Sequence, residues 1–594
     1  MFLRCKKRKK DGKVHRYWSI VENRRISSGK TVQKHVLYLG EINDSQRSAW
    51  RKSIELFTHG QSLPEQVALF PEDRLVDCED EAIIHIRVSE MSLHRPRQWG
   101  ACWLAVYFYK QLQLDTFWQQ RLGESRKKTP WYKILEVLIC YRLIDPGSEW
   151  RLHRNWYDNS AMADLLGEDF SLVAKNKLYE CHDRLLAYKE DFFLHLKERW
   201  KDLFNPTFDV LLYDLTSTYF ECERDYNAEE PGLKRYGYSR DKRPDCLQVV
   251  IALVITPEGF PLAYEVMPGN TLDKTTLEGF LETIENTYGK ARRTWIMDRG
   301  IPTEETLAKM RSSNPPVHYL VGTPRGRLNK LERSFLDKQW QSVRDGVKVK
   351  LNEQEDELYI LAHSGQRRNK ERAIRQKQLR KLAKGLGQLQ KLKTPLKRDD
   401  LLMKLGSARK EVSQKVWALL QITLPDNTQD TRNFTFKLDW KKFRKVWKTE
   451  GRYLLRSNLT EKDPQSLWHY YMQLTQIEES FKNLKGDLSI RPIYHQKDER
   501  IEAHIFIAFM AYCLHVTIRE RLKQLAPGLT PRSLPEKMKA IQMIDVHLPT
   551  TDNQHIVLSR YTEPEAEHKM LLQQLNIRLP EQPKPKIYSN SMKR

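Results

Sequence analysis

The chain is long and strongly basic, and both properties limit its class. Its 594 residues exceed what one hydrophobic core supports, so about three to five domains are expected. A formal net charge of +24, combined with 40% hydrophobic residues and 15 Trp, argues against a disordered polyelectrolyte and indicates a folded protein with a polyanionic partner. Nucleic acid is favoured over a membrane surface.

Cysteine usage and the apolar stretches indicate the compartment. The eight cysteines include no C-x-x-C pair, which argues against zinc knuckles and a disulfide framework, and the N-terminal MFLRCKKRKK lacks the apolar region of a secretory signal. The stretch AHIFIAFMAYCLHVTI from Ala503 is shorter than the roughly 18 to 20 residues of a membrane span. We therefore expect a buried core helix there, no membrane partner and a cytoplasmic location.

Residues 1–60 alternate in the manner of strands. HRYWSIVENRR and KTVQKHVLYLGE, joined by SSGK, predict a small β-rich segment with a basic leading arm. Phosphate contact and a merely solvated terminus remain equal alternatives for this arm, which consists of Arg4, Lys6, Lys7, Arg8, Lys9 and Lys10.

Residues 61–205 change to helical spacing. WLAVYFYKQLQL, WYKILEVLICYRLI and NKLYECHDRLLAYKEDFFLHLKERW place apolar residues three and four positions apart, which predicts an all-α domain. Three tryptophans lie among its arginines: Trp131, Trp150 and Trp156. DNA binding is favoured over a purely structural role.

Residues 206–325 return to strands. VLLYDLTSTYF, CLQVVIALVIT and FPLAYEVM predict three consecutive strands; a helix from about 272 to 288, the strand TWIMD, a helix over 303–311 and the strand VHYLVG follow. This order is that of the ribonuclease H fold, a mixed sheet in which the first and fourth strands are neighbours. Asp214 and Asp298 would then meet, although either aspartate alone would more often be a turn or cap residue.

Residues 326–449 interrupt this pattern as an insertion domain. Hairpin-like stretches precede a basic helix from Arg367 to Lys393 that contains a single acid, Glu371. A solvated helix face is the ordinary interpretation of a charge run, but the near-absence of acids favours contact with a DNA backbone. The predicted contacts are Arg367, Arg368, Arg375, Arg380, Lys381 and Lys384.

Residues 450–520 resume the core with the strand GRYLLRSN and one helix between Asp463 and Gly486. Its N-terminus is predicted by Asp463 as the cap and by a proline in the first turn. Tyr471, Leu474, Glu478 and Lys485 lie at i−7, i−4, i and i+7, which places them on one stripe. Alone, Glu478 would be an ordinary exposed carboxylate. Residues 521–594 predict a short peripheral segment and a loose tail.

These motifs together resemble a bacterial DDE transposase of the insertion-sequence-four superfamily. Tyr471, Glu478 and Lys485 match that family's Tyr, two residues, Arg, three residues, Glu, six residues, Lys signature, and Asp214 and Asp298 match its two aspartates by context. KRPDCLQVVIALVITPEGFPLAYEVMPGNTLD and RPIYHQKDERIEAHIFIAFMAYCL extend the resemblance. Leu474 departs from it, because the signature has Arg at that position.

The resemblance implies a fold and a chemistry. The fold is multidomain α/β: a ribonuclease H-like mixed sheet interrupted by an insertion domain and preceded by the β-rich segment and the all-α domain. Asp214, Asp298 and Glu478 would be the catalytic carboxylates that bind two Mg²⁺ ions, for which Mn²⁺ would substitute. Tyr471, Lys485 and Arg491 would hold DNA, and a homodimer is expected in the synaptic complex.

Two alternative functions remain open on the sequence. A ribonuclease H-like nuclease without strand transfer would share the three acids but would need neither the long helical domain nor the insertion. A transposase-derived DNA-binding protein without catalysis is disfavoured, because all three acids are present.

Overall fold

The computed structural model divides into two compact units. Unit 1 comprises residues 1–8, 15–291 and 475–594, and unit 2 comprises residues 9–14 and 292–474. The described residues are 1–10, 13–25, 31–43, 46–47, 50–51, 54, 84, 86–123, 129–221, 232–289, 293–323, 331, 333–354, 357–425, 430–552 and 554–589.

A three-stranded sheet opens the chain, in the order β1 (Phe2–Lys10), β2 (Lys13–Arg25) and β3 (Thr31–Gly40). The predicted β-rich segment is confirmed, whereas the predicted basic arm is not a loose arm, because it forms β1 itself. The SSGK turn lies outside the described residues. One face of the sheet is apolar and buried, through Ile20 and Leu37 among others.

The segment predicted to be all-α also contains a strand, which follows a short 3₁₀ turn and precedes the helices. This strand, β4 (Ser92–Gln98), pairs with a C-terminal strand of unit 1, and residues 55–83 and 85 lie outside the described range. The helices that follow are Gly100–Gln111 (α1), Leu114–Arg121 (α2), Trp131–Ile144 (α3), Glu149–Arg151 (α4), Met162–Leu166 (α5), Lys175–His182 (α6) and Lys189–Phe204 (α7). The three stretches predicted to be helical correspond to α1, α3, α6 and α7. Because α3 is apolar around most of its circumference, it is buried.

Unit 1 contains three consecutive antiparallel strands: β5 (Val210–Tyr219), β6 (Gln248–Ile255) and β7 (Pro261–Pro268). Asp214 lies on β5. All of β6 is buried. The predicted strand VLLYDLTSTYF is confirmed, and β5 continues for five residues beyond Asp214. Helix α8 (Leu277–Tyr288) then begins five residues later than predicted, after a 3₁₀ turn.

Unit 2 contains a mixed sheet. Its strands are β8 (Thr294–Met297), β9 (His318–Gly322), β10 (Gln341–Arg344), β11 (Val347–Gln354), β12 (Glu357–Ser364) and β15 (Arg452–Ser457), with helix α9 (Glu304–Ser312) between β8 and β9. They run in the order β10-β11-β12-β15-β9-β8; β8 and β9 are parallel and the other pairs antiparallel. The predicted insertion therefore contributes three strands, β10, β11 and β12, to this sheet. The rest of the insertion packs around an apolar core of its own.

The rest of the insertion is mainly helical. It comprises α10 (Gly365–Gln390), α11 (Arg398–Lys410), α12 (Gln414–Trp417), β13 (Leu420–Thr423), β14 (Thr435–Leu438) and α13 (Trp440–Thr449). Leu382, Leu386, Leu401, Leu405 and Phe434 form its own small apolar core. Ser364 caps α10 by accepting a hydrogen bond from the Arg367 amide.

The predicted single helix over 463–486 is two helices, α14 (Pro464–Met472) and α15 (Leu474–Lys485), separated at Gln473. The predicted cap is confirmed, since Asp463 accepts from the Gln465 and Ser466 amides.

Helix α16 (Asp498–Leu525) is long and apolar enough to cross a membrane by length and composition. At 28 residues it exceeds the length expected from the sequence, and 94% of its most apolar window is buried inside the protein. It is the core helix of unit 1, as predicted.

The C-terminal segment is folded rather than loose through residue 589, and the last five residues of the predicted tail lie outside the described range. It forms α17 (Ser533–Met538), β16 (Gln542–Pro549), β17 (Gln554–Tyr561), α18 (Ala566–Gln574) and β18 (Lys586–Ser589). The strands form an antiparallel sheet in the order β18-β17-β16-β4. The buried Arg97 of β4 donates to Asp164 at 2.6 Å and to Asp545 of β16 at 3.0 Å, which fixes this sheet to the helices.

Candidate active site and nucleic-acid interface

Asp214 lies in the middle of a rigid strand. It is half-buried on β5 between buried neighbours, opposite Leu253 of β6, and its Oδ1 accepts a hydrogen bond from the Leu215 amide at 2.8 Å. A carboxylate within an apolar strand is costly unless it has a partner or a function. Its position therefore supports a functional role more strongly than a turn role.

Asp298 follows β8 directly, as predicted, and is exposed. A glycine, Gly322 at the end of β9, lies beside it. A Cβ atom at this position would stand 3.3 Å from Asp298 Oδ1 and 3.1 Å from the Arg299 amide nitrogen. The absence of a side chain there lets the carboxylate keep its position at the edge of the unit 2 sheet.

Glu478 is presented by an amphipathic helix. Helix α15 buries Ile477, Phe481 and Leu484, while Glu478 is exposed. The apolar face fixes the helix in unit 1 and leaves the carboxylate accessible. Asp214 on a strand, Asp298 directly after a strand and Glu478 on a helix thus supply oxygen donors, and such donors fit Mg²⁺.

Tyr471 and Leu474 were predicted to lie on one helix, but they lie on two consecutive helices. Tyr471 ends α14 and packs in an aromatic cluster of unit 2, with ring centroids 5.7 Å from Tyr453 and 6.3 Å from Trp468. Leu474 begins α15 and is half-buried. The single helical stripe is therefore interrupted between the tyrosine and the glutamate.

Lys485 is held by a buried acid that sequence reasoning missed. Its ammonium group donates to Asp241 Oδ1 at 2.8 Å, and Arg491 also pairs with Asp241. Burial is the main cause that lowers the pKa of Lys485; Asp241 opposes it, and Arg491 and Arg240 add to it. Asp241 thus fixes two of the predicted DNA-binding cations in place.

The segment around Asp241 is a basic and aromatic loop between β5 and β6. The Arg240 amide donates to Ser217 Oγ on β5 at 3.1 Å, which ties the loop to the strand of Asp214. Tyr236 and Tyr238 are 49% and 83% exposed. The sequence signal was KRYGYSRDKR, since exposed aromatic and cationic residues together are typical of nucleic-acid contact.

The predicted contacts on α10 divide into two groups. Arg375 is buried, pairs with Glu450 and lies over the Phe443 ring at 4.8 Å, so its prediction as a DNA contact is wrong. Arg367 bonds Glu371 at 3.3 Å, and Arg368 is half-buried. Exposed cations remain along the outer face of the helix: Lys370, Lys377, Arg380, Lys381 and Lys384.

Helix α13 extends this basic surface and was also missed. It packs on α10 through Arg372, which bonds Glu450 at 3.1 Å and lies over Trp447 at 4.4 Å. Trp440 is 62% exposed. The other exposed side chains are mostly cationic: Lys441, Lys442, Arg444, Lys445 and Lys448. We call the outer faces of α10 and α13 the basic surface of unit 2.

Comparison with known proteins gives two family matches. A family model described as "Transposase DDE domain" matches residues 215–514, and one described as "IS1634 family transposase, N-terminal domain" matches residues 3–57. The first spans half of the chain, contains Asp298 and Glu478, and begins one residue after Asp214. No curated protein gives a significant match.

Among solved structures, one match is a cryo-EM structure of the piggyBac transposase synaptic complex with hairpin DNA. It is 8% identical and covers 77% of this chain and 82% of that chain, with a TM-score of 0.34. A TM-score this low carries no argument about the fold.

Proposed function

Because the chain belongs to the DDE transposases of bacterial insertion sequences, we propose that it moves its own element. It binds the terminal inverted repeats, cleaves the DNA at the ends and joins the freed 3′-OH to target DNA. The observation that carries this proposal is the family match over residues 215–514. We place the chain in the insertion-sequence-four superfamily, with a ribonuclease H-like catalytic domain and a cytoplasmic location.

Asp214, Asp298 and Glu478 are the catalytic residues of this proposal. Their carboxylates would hold the two Mg²⁺ ions of this proposal. When bound, the ions supply charge neutralisation on the attacking and leaving oxygens of the phosphodiester. The strand of Asp214 and the buried face of α15 hold two of these groups in fixed positions, and the missing side chain at Gly322 leaves room for the third, Asp298. These settings support the assignment.

Lys485, Arg491 and Tyr471 orient the DNA end. The ion pairs with Asp241 support this role for the two cations, because a side chain with a fixed position loses little entropy on binding phosphate. The Tyr236 and Tyr238 loop adds stacking surfaces beside them. The basic surface of unit 2 binds the DNA backbone further away, and the active form is a homodimer that holds two ends.

Two other functions compete with this one. A nuclease would cut end DNA in Mg²⁺ and leave its products unjoined. A non-catalytic DNA-binding descendant of a transposase would bind ends and cut nothing. Accessible carboxylates at Asp298 and Glu478 favour an active enzyme.

A strand-transfer assay tests the proposal. The full chain is mixed with a labelled duplex of the element's terminal repeat, an unlabelled plasmid and Mg²⁺. We expect labelled ends joined to plasmid, with a free 3′-OH before joining. Cleaved but unjoined ends would support the nuclease, and binding without cleavage would support the non-catalytic protein. A duplex of equal length and scrambled sequence is the control.

A further inference from the structure

A buried cluster of three histidines and one glutamate lies in unit 1, away from the acids that we assign to catalysis. Glu149, His182, His495 and His504 are all at most 6% exposed, and one donor atom of each lies within 4.8 Å of the others. They come from four separate elements: α4, the end of α6, the connector 486–497 and α16.

The hydrogen bonds of two histidines fix which ring nitrogen points at the glutamate. His182 bonds the Leu178 carbonyl through Nδ1 at 2.9 Å, and His504 bonds the Ile490 carbonyl through Nε2 at 3.3 Å. A carbonyl only accepts, so each bonded nitrogen carries the proton. The opposite nitrogens, His182 Nε2 and His504 Nδ1, have no hydrogen-bond partner among the described residues.

A lone pair on each of these nitrogens therefore faces the carboxylate when the ring is neutral. His182 Nε2 lies 3.5 Å and His504 Nδ1 3.7 Å from Glu149 Oε1. Acceptors that face one another in a dry site repel unless a cation or a shared donor lies between them. His495 Nε2, at 3.4 Å from Glu149 Oε1, can donate one hydrogen bond to the carboxylate, but the facing nitrogens of His182 and His504 are left without one among the described residues. Arg142, at 3.9 Å from Glu149 Oε1, is too distant to donate a hydrogen bond.

We propose that Glu149, His182, His495 and His504 form a closed structural site for a divalent transition-metal ion, and that the ion is Zn²⁺. The three distances from Glu149 Oε1 to the ring nitrogens are 3.4, 3.5 and 3.7 Å. A tetrahedral ion with bonds of about 2.0–2.1 Å has ligand–ligand edges of about 3.3 Å. The three edges from Glu149 Oε1 are already close to this length, and the ring nitrogens, which lie within 4.8 Å of one another, would move together when the ion binds.

The donor set decides the class of metal. Three imidazoles and one carboxylate suit Zn²⁺, whereas Mg²⁺ and Ca²⁺ prefer oxygen ligands. The backbone carbonyls that bond His182 and His504 are the outer partners typical of metal-bound histidines. Four protein ligands fill a tetrahedral ion and leave no position for substrate, so the site is structural.

The site would fix the helical domain to the segment after the catalytic helix. His495 lies in the connector between α15 and α16, four residues after Arg491, which pairs with Asp241. Metal binding would therefore fix the connector that positions this cation, in addition to stabilising unit 1.

Metal analysis of the full, untagged chain tests this proposal. We expect about one zinc per chain after purification without chelator. His182→Gln and His504→Gln should each lower zinc content at least fivefold, whereas His515→Gln, a buried histidine 3.6 Å from Asp487 outside the cluster, should not. Zinc that persists in both cluster variants would overturn the assignment.

A second measurement does not depend on the variants folding. Chelator should lower the Tm of the wild-type chain, and Zn²⁺, but not Mg²⁺, should restore it. Replacement with Co²⁺ should give the visible absorption of a tetrahedral ion, and this signal should persist in the Asp214→Asn variant. A folded chain that contains under about 0.1 zinc and shows no Tm response to Zn²⁺ would contradict the site.

Discussion

The three proposed catalytic acids differ in their surroundings, and each setting has its own physical basis. Asp214 is held by a buried strand, Asp298 by a turn beside a glycine, and Glu478 by the exposed face of a helix whose other face is packed. Regular elements hold side chains more precisely than loops do, so small displacements of Asp214 and Glu478 should be costly.

Loss of any one carboxylate should abolish cleavage but preserve DNA binding. Asp214→Asn, Asp298→Asn and Glu478→Gln keep the shape of each side chain and remove its charge. We expect end cleavage to fall at least about a thousandfold, because metal ligation supplies several kcal/mol of transition-state stabilisation. Gel-shift affinity for end DNA should change less than about threefold. A variant that retains normal Mg²⁺-dependent cleavage would remove its residue from the site.

Crowding at Gly322 should slow cleavage by displacing Asp298. In Gly322→Ala, the added methyl group would stand 3.3 Å from Asp298 Oδ1, which is closer than ordinary contact. We expect about tenfold slower cleavage with little change in Tm. Gly406→Ala in α11 is the matched control, since no described atom lies within 4 Å of its added Cβ. Equal cleavage rates for the two variants would show that the contact does not position the acid.

At the scale of elements, one carboxylate links the central strands of unit 2. Glu357 of β12 accepts from Arg456 of β15 and from Arg311 of α9, each at 2.7 Å, and also contacts the Tyr319 hydroxyl of β9. Burial raises the pKa of Glu357, but hydrogen bonds from Arg456 and Tyr319 outweigh it and hold the pKa below its usual 4.5. The charged form therefore stabilises the fold.

This linkage predicts an acid dependence of stability. The stabilisation should be complete above about pH 4.5 and should disappear as the pH falls through the lower folded-state pKa. Glu357→Gln should lower the free energy of unfolding at pH 7 by about 3 kcal/mol, because Arg456 stays buried and keeps one acid, Glu304, of its two partners among the described residues. Urea unfolding at several pH values measures this. Glu353→Gln, an exposed partner of Lys462, should cost under about 1 kcal/mol.

The basic surface of unit 2 should contribute salt-dependent DNA affinity. Replacing Lys377, Arg380, Lys381 and Lys384 with Gln should weaken end binding and flatten the salt dependence by about one logarithmic unit for each phosphate that the variant no longer neutralises. Catalysis at saturating protein should be normal. The same number of exposed cations is removed in a control variant with Gln at Lys569, Arg578, Lys584 and Lys586. Equal salt slopes for the two variants would indicate that α10 is only a solvated face.

At the scale of the whole molecule, the C-terminal segment completes unit 1. Strand β16 pairs with β4, and Asp545 of β16 bonds the buried Arg97. An isolated fragment of residues 1–205 would expose the edge of β4 and leave Arg97 without this partner. End recognition by the N-terminal third is therefore better tested with substitutions in the full chain.

Removal of the C-terminal sheet should destabilise the protein rather than trim a tail. A chain ending at Ala540 lacks β16, β17 and β18, so an unpaired strand edge and a buried arginine with one acid fewer remain. We expect aggregation or loss of cooperative unfolding. A chain ending at Pro585 lacks only β18 among these strands and should keep a Tm within a few degrees of the full chain. Equal Tm values for all three chains would show that the segment is peripheral.

Local sequence patterns were enough to identify the family, the order of the three acids and most of the helices and strands. Periodicity and capping are local properties, so the bounds of α3 and the N-terminal cap of α14 could be predicted directly. The spacing of the signature likewise predicts the roles of Glu478 and Lys485 from the sequence alone.

Which side chains are buried, and which distant residues meet, depended on the tertiary structure. Arg375 is one of many cations on α10 by sequence, but its packing against α13 buries it. Asp241 becomes the partner of Lys485 across 244 residues, and Glu149 meets His504 although no short motif joins them. Long-range pairings of this kind depend on how the whole chain packs. Short sequence patterns report only on neighbouring residues, so they do not predict such pairings.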